Sequence, residues 1–344
     1  MVQVDNGQIR VTKILVHPIK SCRGTSVREV RYTPQGLEND RKWAVLDSAE
    51  NKILTARELP RLVLVEPELR CDASSPTKGK LVVTVRPDSG PVSFAVPIEP
   101  TPDMLSQWEI VSDTSLFDRS AQDAYIVQSL SRGGPSPSQI LSDFLGRPVH
   151  LIVKGPTPRS CLPTHAFPTL KATAVFQDGY PVLFASEESL EAVAQAVNDT
   201  AKSGPDSPGA LGKIGGMDHA RWEKEKVPIE RFRPNIVVRG AGTPFSEDIW
   251  EKVYVTPRGS NTKDESRSFT LVSRCARCLL PNVDPATGVR DAAVPYKVIS
   301  KFRTGVAPER EKTPCFGSNA VPGGNGIIRV GDQISVVEWV QSRN

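Results

Sequence analysis

Thirty prolines and twenty-five glycines punctuate this chain of 344 residues. Proline lacks an N–H and fixes φ, so it is kept out of helix interiors and central strand positions. Glycine weakens both elements and favours turns. Punctuation this dense suits many short strands joined by turns, with a few short helices between them. The expected fold class is therefore mainly β (α+β), of barrel or sandwich type. The length is enough for two domains with full cores.

Hydrophobic periodicity places the elements. Ile9, Val11 and Lys13 to Val16 read as a first strand, followed by the loop His17 to Gly24. Lys42 to Asp47 reads as a buried strand. Leu62 to Val65 and Leu81 to Val85 read as short apolar strands bounded by Pro and Gly. Val92, Phe94, Val96 and Ile98 alternate as on a half-buried strand. Residues 130–136 read as a loop. Ser136 is placed to cap a helix with Pro137 in its first turn; Ile140, Leu141, Phe144 and Leu145 share a face, and Gly146 ends it. Val149 to Val153 follows as a strand. A second unit opens near residue 165. There Ser186 is placed to cap a helix reaching about Ala201. Residues 199–226 are polar and rich in Gly, Pro and Lys, and read as an exposed excursion. Strands return at 236–238, 253–255 and 269–272, and at 327–337 as two strands joined at Gly331-Asp332. The expected division is 8–130, a connecting helix and strand at 131–164, and 165–340.

The charge pattern narrows the partners. Forty-three Lys and Arg against thirty-nine Asp and Glu leave a net charge of +4, without a dense basic stripe. Nucleic acid is not an expected partner. Six scattered cysteines do not make a disulfide framework, which points to a reducing, cytoplasmic setting. No apolar run reaches the ~18 residues needed to span a bilayer, and the first residues resemble neither a signal nor a transit peptide.

The densest chemistry lies in Arg274-Cys275-Ala276-Arg277-Cys278, at the end of an apolar strand. A thiolate is a soft metal ligand, and neighbouring arginines lower a thiol pKa and offer forked donors to anions. Structural zinc would need a second ligand pair, which Cys315 and a distant His do not supply. A redox CxxC would open a helix, whereas a strand precedes this one. Two inert buried thiols remain an open alternative. A second donor cluster is Arg231-Phe232-Arg233-Pro234-Asn235, where Arg233 and Asn235 would point to one side of a strand. Read singly, Arg233 is a surface cation, Lys20-Ser21 a weak phosphate hint, and Asp40-Arg41 a local ion pair. The four histidines are isolated in sequence.

Taken in order, these pieces resemble the MOSC-domain family with its N-terminal β-barrel domain, and within it the mitochondrial amidoxime reducing component branch. In the first half the likeness rests on His17-Pro18-Ile19-Lys20-Ser21-Cys22, Gly36-Leu37-Glu38-Asn39-Asp40-Arg41-Lys42-Trp43 and Leu54-Thr55-Ala56-Arg57-Glu58-Leu59-Pro60-Arg61-Leu62. In the second half it rests on Asp178-Gly179-Tyr180-Pro181, Arg231 to Ile236, Phe245-Ser246-Glu247-Asp248, and the Cys-x-Arg-Cys stretch running on to Val283-Asp284-Pro285.

The resemblance implies two β-barrel domains and a molybdenum–molybdopterin cofactor. It implies Cys278 as metal ligand and catalytic residue, and Asp178 as a catalytic acidic residue beside the metal. Lys20, Ser21, Arg41, Gly179, Tyr180, Arg233, Asn235, Ala276 and Arg277 fall on cofactor-contacting positions. It further implies reduction of N-hydroxylated compounds, with electrons from NADH through cytochrome b5 reductase and cytochrome b5, and mitochondrial association as the alternative to a cytoplasmic setting. Departures are Leu279-Leu280-Pro281-Asn282 where that branch usually has a Thr pair before Val-Asp-Pro, and Gly179-Tyr180 in place of Thr-Ser. Two rival readings share the layout: a cofactor or sulfur carrier like the C-terminal region of molybdenum cofactor sulfurase, and a metal-free interaction module. Nothing here resembles the pyridoxal-phosphate domain such a sulfurase carries in front, so pyridoxal phosphate binding stays a family-level association.

Overall fold

The computed structural model describes residues 9–340 apart from 118, 132, 205–210, 259–263 and 265–266, and only the backbone of 119–121. Arg132 of the 130–136 loop and residues 205–210 of the 199–226 stretch thus lie outside the described residues.

Seven strands close a ring. They are β1 (Arg10–Val16), β2 (Val182–Ser186), β3 (Ile236–Arg239), β4 (Trp250–Thr256), β5 (Ser268–Ala276), β6 (Cys315–Pro322) and β7 (Gln333–Trp339). Their order is β1-β3-β2-β6-β5-β4-β7, with β7 returning to β1. Each pair is antiparallel except β2 and β3. That parallel pair needs a crossover connection, and the helix Glu187–Lys202 lies within it, capped by Ser186, whose hydroxyl accepts from Ser189 N at 3.1 Å. Val11, Ile14, Phe184, Phe269, Ile334 and Val336 are buried in the ring's core. β-Branched and aromatic side chains suit such a pleated, enclosed surface. β1 comes from the start of the chain, while the other six strands lie beyond residue 181. Its register against β3, Arg10 to Arg239 through Ile14 to Ile236, joins the two ends of the sequence.

The remaining first-half strands form a four-stranded sheet (Trp43–Asp47, Ile110–Leu116, Arg119–Ile126, Val149–Lys154) and a three-stranded one (Glu66–Cys71, Gly79–Val85, Val92–Pro97). Both pack on one core that includes Trp43, Val45, Leu81, Val83, Phe94 and Leu151. The helix Pro137–Leu145 closes it, with Ser136 accepting from Gln139 N and Gly146 left-handed at the C-cap. The mainly β class holds.

Three elements differ from expectation. Pro60–Leu64 is a 3₁₀ turn, not a strand. Proline presets its first φ, and the consecutive residues Leu62 and Val63 are both buried, which an alternating strand does not arrange. Residues 327–337 do hold two strands across Gly331, but they do not pair with each other. Gly326–Arg329 pairs with Glu29–Thr33, and β7 pairs with β1 and β4. The polar stretch near 199–226 is not wholly an excursion. Ile214, Met217 and Trp222 are buried against the helix Glu187–Lys202, and Trp222 Nε1 donates to Asp291 at 2.8 Å. A few large apolar anchors outweigh the polar composition around them.

Candidate functional site

Loops 17–24, 39–42, 176–180, 231–235 and 275–284 meet beside the ring. Backbone hydrogen bonds fix the first three together: Lys20 N to Trp43 O (2.8 Å), Arg41 N to His17 O (2.8 Å) and Phe176 N to Arg41 O (3.2 Å). Ser21, Asn39, Arg41 and Arg233 all hold positive φ. The chain therefore turns sharply at each of these points, at a steric cost for residues with a Cβ.

Lys20 is buried. Its ammonium donates to Phe176 O at 2.9 Å and pairs with Asp178. Burial pushes the ammonium pKa down, and Asp178 opposes this. The Asp178 side chain is 66 % exposed. Enclosure on its protein side raises its carboxyl, but Lys20 first, then Arg41 and Arg233, outweigh that and hold it down to about 2. Arg41 forks onto both oxygens of Asp40 (2.7 and 2.6 Å) and donates to Arg233 O at 3.1 Å. Arg233 donates to Cys22 O at 2.7 Å, and its Nη2 is buried without a partner. Burial, and then the charge of Arg41, push Arg233 down to about 10.

The thiols differ from one another. All six cysteines are free. Burial pushes Cys22 up to about 12 and Cys315 up to about 11, which leaves both as inert thiols at neutral pH. Cys275 is also pushed up by burial, against the pull of Arg277, whose Nη1 lies 3.1 Å from its sulfur. Cys278 is half-buried and accepts the Leu280 N–H at 3.4 Å. Arg277 donates to Phe232 O at 2.7 Å and keeps an unpartnered buried Nε.

Two family models match the sequence: the MOSC N-terminal beta barrel domain over residues 8–147 and the MOSC domain over residues 171–335. The chain belongs to the MOSC family. This MOSC chain is 28% identical to mitochondrial amidoxime-reducing component 1 of Mus musculus over 94% of its length and 81% of the relative's. The Homo sapiens protein of that name is 28% identical over 94% and 82%. A molybdenum cofactor sulfurase from Aspergillus niger is 28% identical over 85% of this chain but only 36% of its own length, so this chain spans about a third of it. Among solved structures, the YUAD protein of Bacillus subtilis aligns over 95% of this chain and 93% of its own, at 8% identity and a TM-score of 0.29, too low to bear on the fold.

In the MOSC chain most of the residues singled out in sequence come together. Lys20, Arg41, Asp178, Arg233, Arg277 and Cys275 are linked by the contacts above. Ser21 and Gly179 adjoin Lys20 and Asp178 in the chain. Ala276 lies between Cys275 and Arg277, paired with Cys315 across β5 and β6. Two residues stand differently from the expectation. Arg233 is the left-handed cap of the 3₁₀ turn Ile229–Phe232 rather than part of a strand, so strand alternation does not put it beside Asn235. Asn235 spans strands instead, donating to Leu15 O at 3.1 Å and accepting from Leu183 N at 3.1 Å. The Tyr180 hydroxyl donates to Leu162 O at 3.0 Å.

Sequence reasoning missed the supports. Arg159 donates to Val175 O and Gln177 O, and Gln177 reaches Asp40 O and Gln35 O, so the Asp178 loop is fastened from behind. Phe117 lays its ring 5.1 Å from the Lys20 ammonium. Arg231 had a signal in sequence, its place in Arg-Phe-Arg, but its hydrogen bonds to Pro281 O and Asn282 O did not. A cavity of ≈ 750 Å³ lies behind the Gly36–Asp40 turn, and neither Lys20, Asp178 nor Cys278 lines it.

The arrangement suits an anionic group that brings its own metal ligands. Among the described residues no cluster of three or more His, Cys, Asp and Glu side chains could cage a metal ion. What the chain offers is two partly exposed thiols, Cys275 and Cys278, and four cations, with unspent donors on Arg233 and Arg277. Buried donors left unpaired cost free energy until a partner arrives.

Proposed function

We propose that this chain is a molybdenum cofactor-dependent oxidoreductase that reduces N-hydroxylated compounds such as amidoximes and hydroxylamines. The observation that carries the reading is the cation cluster of Lys20, Arg41, Arg233 and Arg277 gathered around Asp178 and the Cys275–Cys278 turn, with buried guanidinium nitrogens unspent. The names of the amidoxime-reducing relatives support the reaction class.

Lys20, Arg41, Arg233 and Arg277 would hold the phosphate and pterin of molybdopterin through charge-assisted bonds, with Ser21, Gly179, Tyr180, Asn235 and Ala276 around it. Cys278 would ligate the metal. When bound, the cofactor supplies a two-electron centre that takes oxygen from nitrogen, so that an N-hydroxylated base, two electrons and two protons leave as the reduced base and water. Asp178, ionised at neutral pH, accepts N–H bonds and orients an amidine-like group rather than donating a proton. Lys20 keeps that carboxylate in place. Electrons would come from a cytochrome b5-type haem protein and its NADH-dependent reductase. Among the described residues no helix is long and apolar enough to cross a membrane. We place the chain in the cytoplasm, with the mitochondrial association in its relatives' names as the alternative.

The test is metal analysis with oxidised-pterin fluorescence on protein from cells that make the cofactor, followed by amidoxime reduction with reduced viologen. Stoichiometric molybdenum, lost in Cys278→Ser together with turnover, is the expected result. Turnover and molybdenum retained in Cys278→Ser would overturn the ligand assignment. The sulfurase relatives favour a second reading, a cofactor or sulfur carrier without reductase activity. A persulfide on Cys275 or Cys278 in the intact mass would select it.

A further inference from the structure

The two thiols of the Cys275–Cys278 turn have different hydrogen-bond donors. Arg277 directs Nη1 to the Cys275 sulfur at 3.1 Å and Nη2 to Phe232 O, so no bond from its guanidinium reaches Cys278. Cys278 Sγ instead receives a backbone N–H, that of Leu280, at 3.4 Å. This N–H opens the 3₁₀ turn Leu280–Asn282, where the first donors of a helical turn have no partner within it. The turn is pinned from several sides. Buried Arg231 donates to Pro281 O (3.2 Å) and Asn282 O (3.1 Å) and pairs with Asp284 (2.9 Å). Asn282 donates to Asp291 O and accepts from Tyr296 N, both at 2.9 Å. Leu280 packs on the first-half core.

We infer that the Leu280 N–H is a fixed hydrogen-bond donor to the Cys278 thiolate, and that Arg231 is a positioning residue that holds this donor in place through the turn. The inference rests on the reading of Cys278 as the metal ligand. An N–H pointed at a ligating sulfur draws electron density from it, which favours the reduced over the oxidised metal, and the residue holding the donor sets that effect. A backbone donor is also indifferent to the side chain it belongs to.

The test replaces Leu280 with leucic acid, its hydroxy-acid counterpart, by stop-codon suppression in the full chain. This exchanges the N–H for an ester oxygen and keeps the side chain. Molybdenum content and the molybdenum midpoint potential are read on the loaded protein, beside Arg231→Lys as a second variant. The expected result is a more negative potential in the ester variant and a smaller shift of the same sign in Arg231→Lys. Loss of metal from an ester variant that stays folded by circular dichroism also supports the fixed donor. Molybdenum retained at an unmoved potential in both variants overturns the inference and leaves the function standing. Wild-type protein without molybdenum overturns the function and the inference together.

Discussion

Arg231 and Arg233 lie two residues apart at one 3₁₀ turn and meet different surroundings. Arg231 commits both terminal nitrogens, to two carbonyls and to the carboxylate of Asp284, which Arg221 also grips at 2.8 Å. Arg233 spends one terminal nitrogen on Cys22 O, leaves the other buried and unpaired, and faces the like charge of Arg41. A buried ion pair whose two terminal nitrogens are bonded, as in Arg231 with only Nε unpartnered, holds a fold together. A buried cation next to another cation is a standing cost unless an anion completes it. The first arrangement explains a loop, and the second implies a guest.

That contrast sets the largest expected effect. Arg231→Met leaves two loop carbonyls without their donor and Asp284 with Arg221 alone, and should destabilise the metal-free chain by about 2–4 kcal/mol, at roughly 1–3 kcal/mol for each buried acceptor left unpaired. Chemical denaturation reads it. A loss below about 1 kcal/mol, the worth of an exposed pair, would mean that Arg231 clamps nothing.

Arg233→Met should act in the opposite sense. The metal-free chain should keep its stability or gain, because burial and the charge of Arg41 outweigh the attraction of Arg233 to Asp178 and Asp40. Cofactor retention should fall by roughly tenfold to a hundredfold, since a hydrogen bond to a charged group contributes about 1.5–3 kcal/mol. Pterin fluorescence after dialysis measures it. Equal destabilisation by both arginine variants would erase the distinction between clamp and receptor.

How much of this could be read beforehand follows the same line. Short strands were legible because Pro and Gly bound them and because Val92, Phe94 and Val96 alternate. Leu62 to Val65 misled because a run of four apolar residues has no period. The hairpin reading at 327–337 failed because pairing partners such as Glu29–Thr33 lie some three hundred residues away. At the site, the residues that carry charge or sulfur stood out by type. The supports did not. Arg159, Gln177 and Asn282 act through backbone carbonyls and amides of loops distant in sequence, and no local pattern encodes those partners. Asn235 was legible as a residue that matters, yet its amide joins strands.

Asp178 gives a smaller effect, with a definite sign. Its carboxyl sits near 2 in the fold against an ordinary 3.8. Its share of stability is therefore present above pH 3.8 and is lost as the pH falls from there toward 2. Because the side chain is largely exposed, the share is modest. The difference in unfolding free energy between wild type and Asp178→Asn should be flat from neutrality to about pH 4 and close on further acidification. A difference that grows on acidification would place the carboxylate among repelling charges instead of beside Lys20, Arg41 and Arg233.

Gly179 offers the finest cut between holding and receiving. A Cβ built on it meets nothing within 4 Å, and its φ is not in the left-handed region. The fold therefore makes no demand for glycine there, and Gly179→Ala should be neutral or stabilise by about 0.4–1 kcal/mol through the unfolded chain. Thermal unfolding of the metal-free protein checks this. The open space adjoins Asp178 in the chain. Gly179→Trp should then keep the melting temperature of the metal-free chain while lowering pterin retention, because its indole fills room the protein itself leaves empty. If Gly179→Trp unfolds the chain and Gly179→Ala does not, the space belongs to packing. If both fold and both retain pterin fully, the guest lies elsewhere along the cluster, toward Arg277.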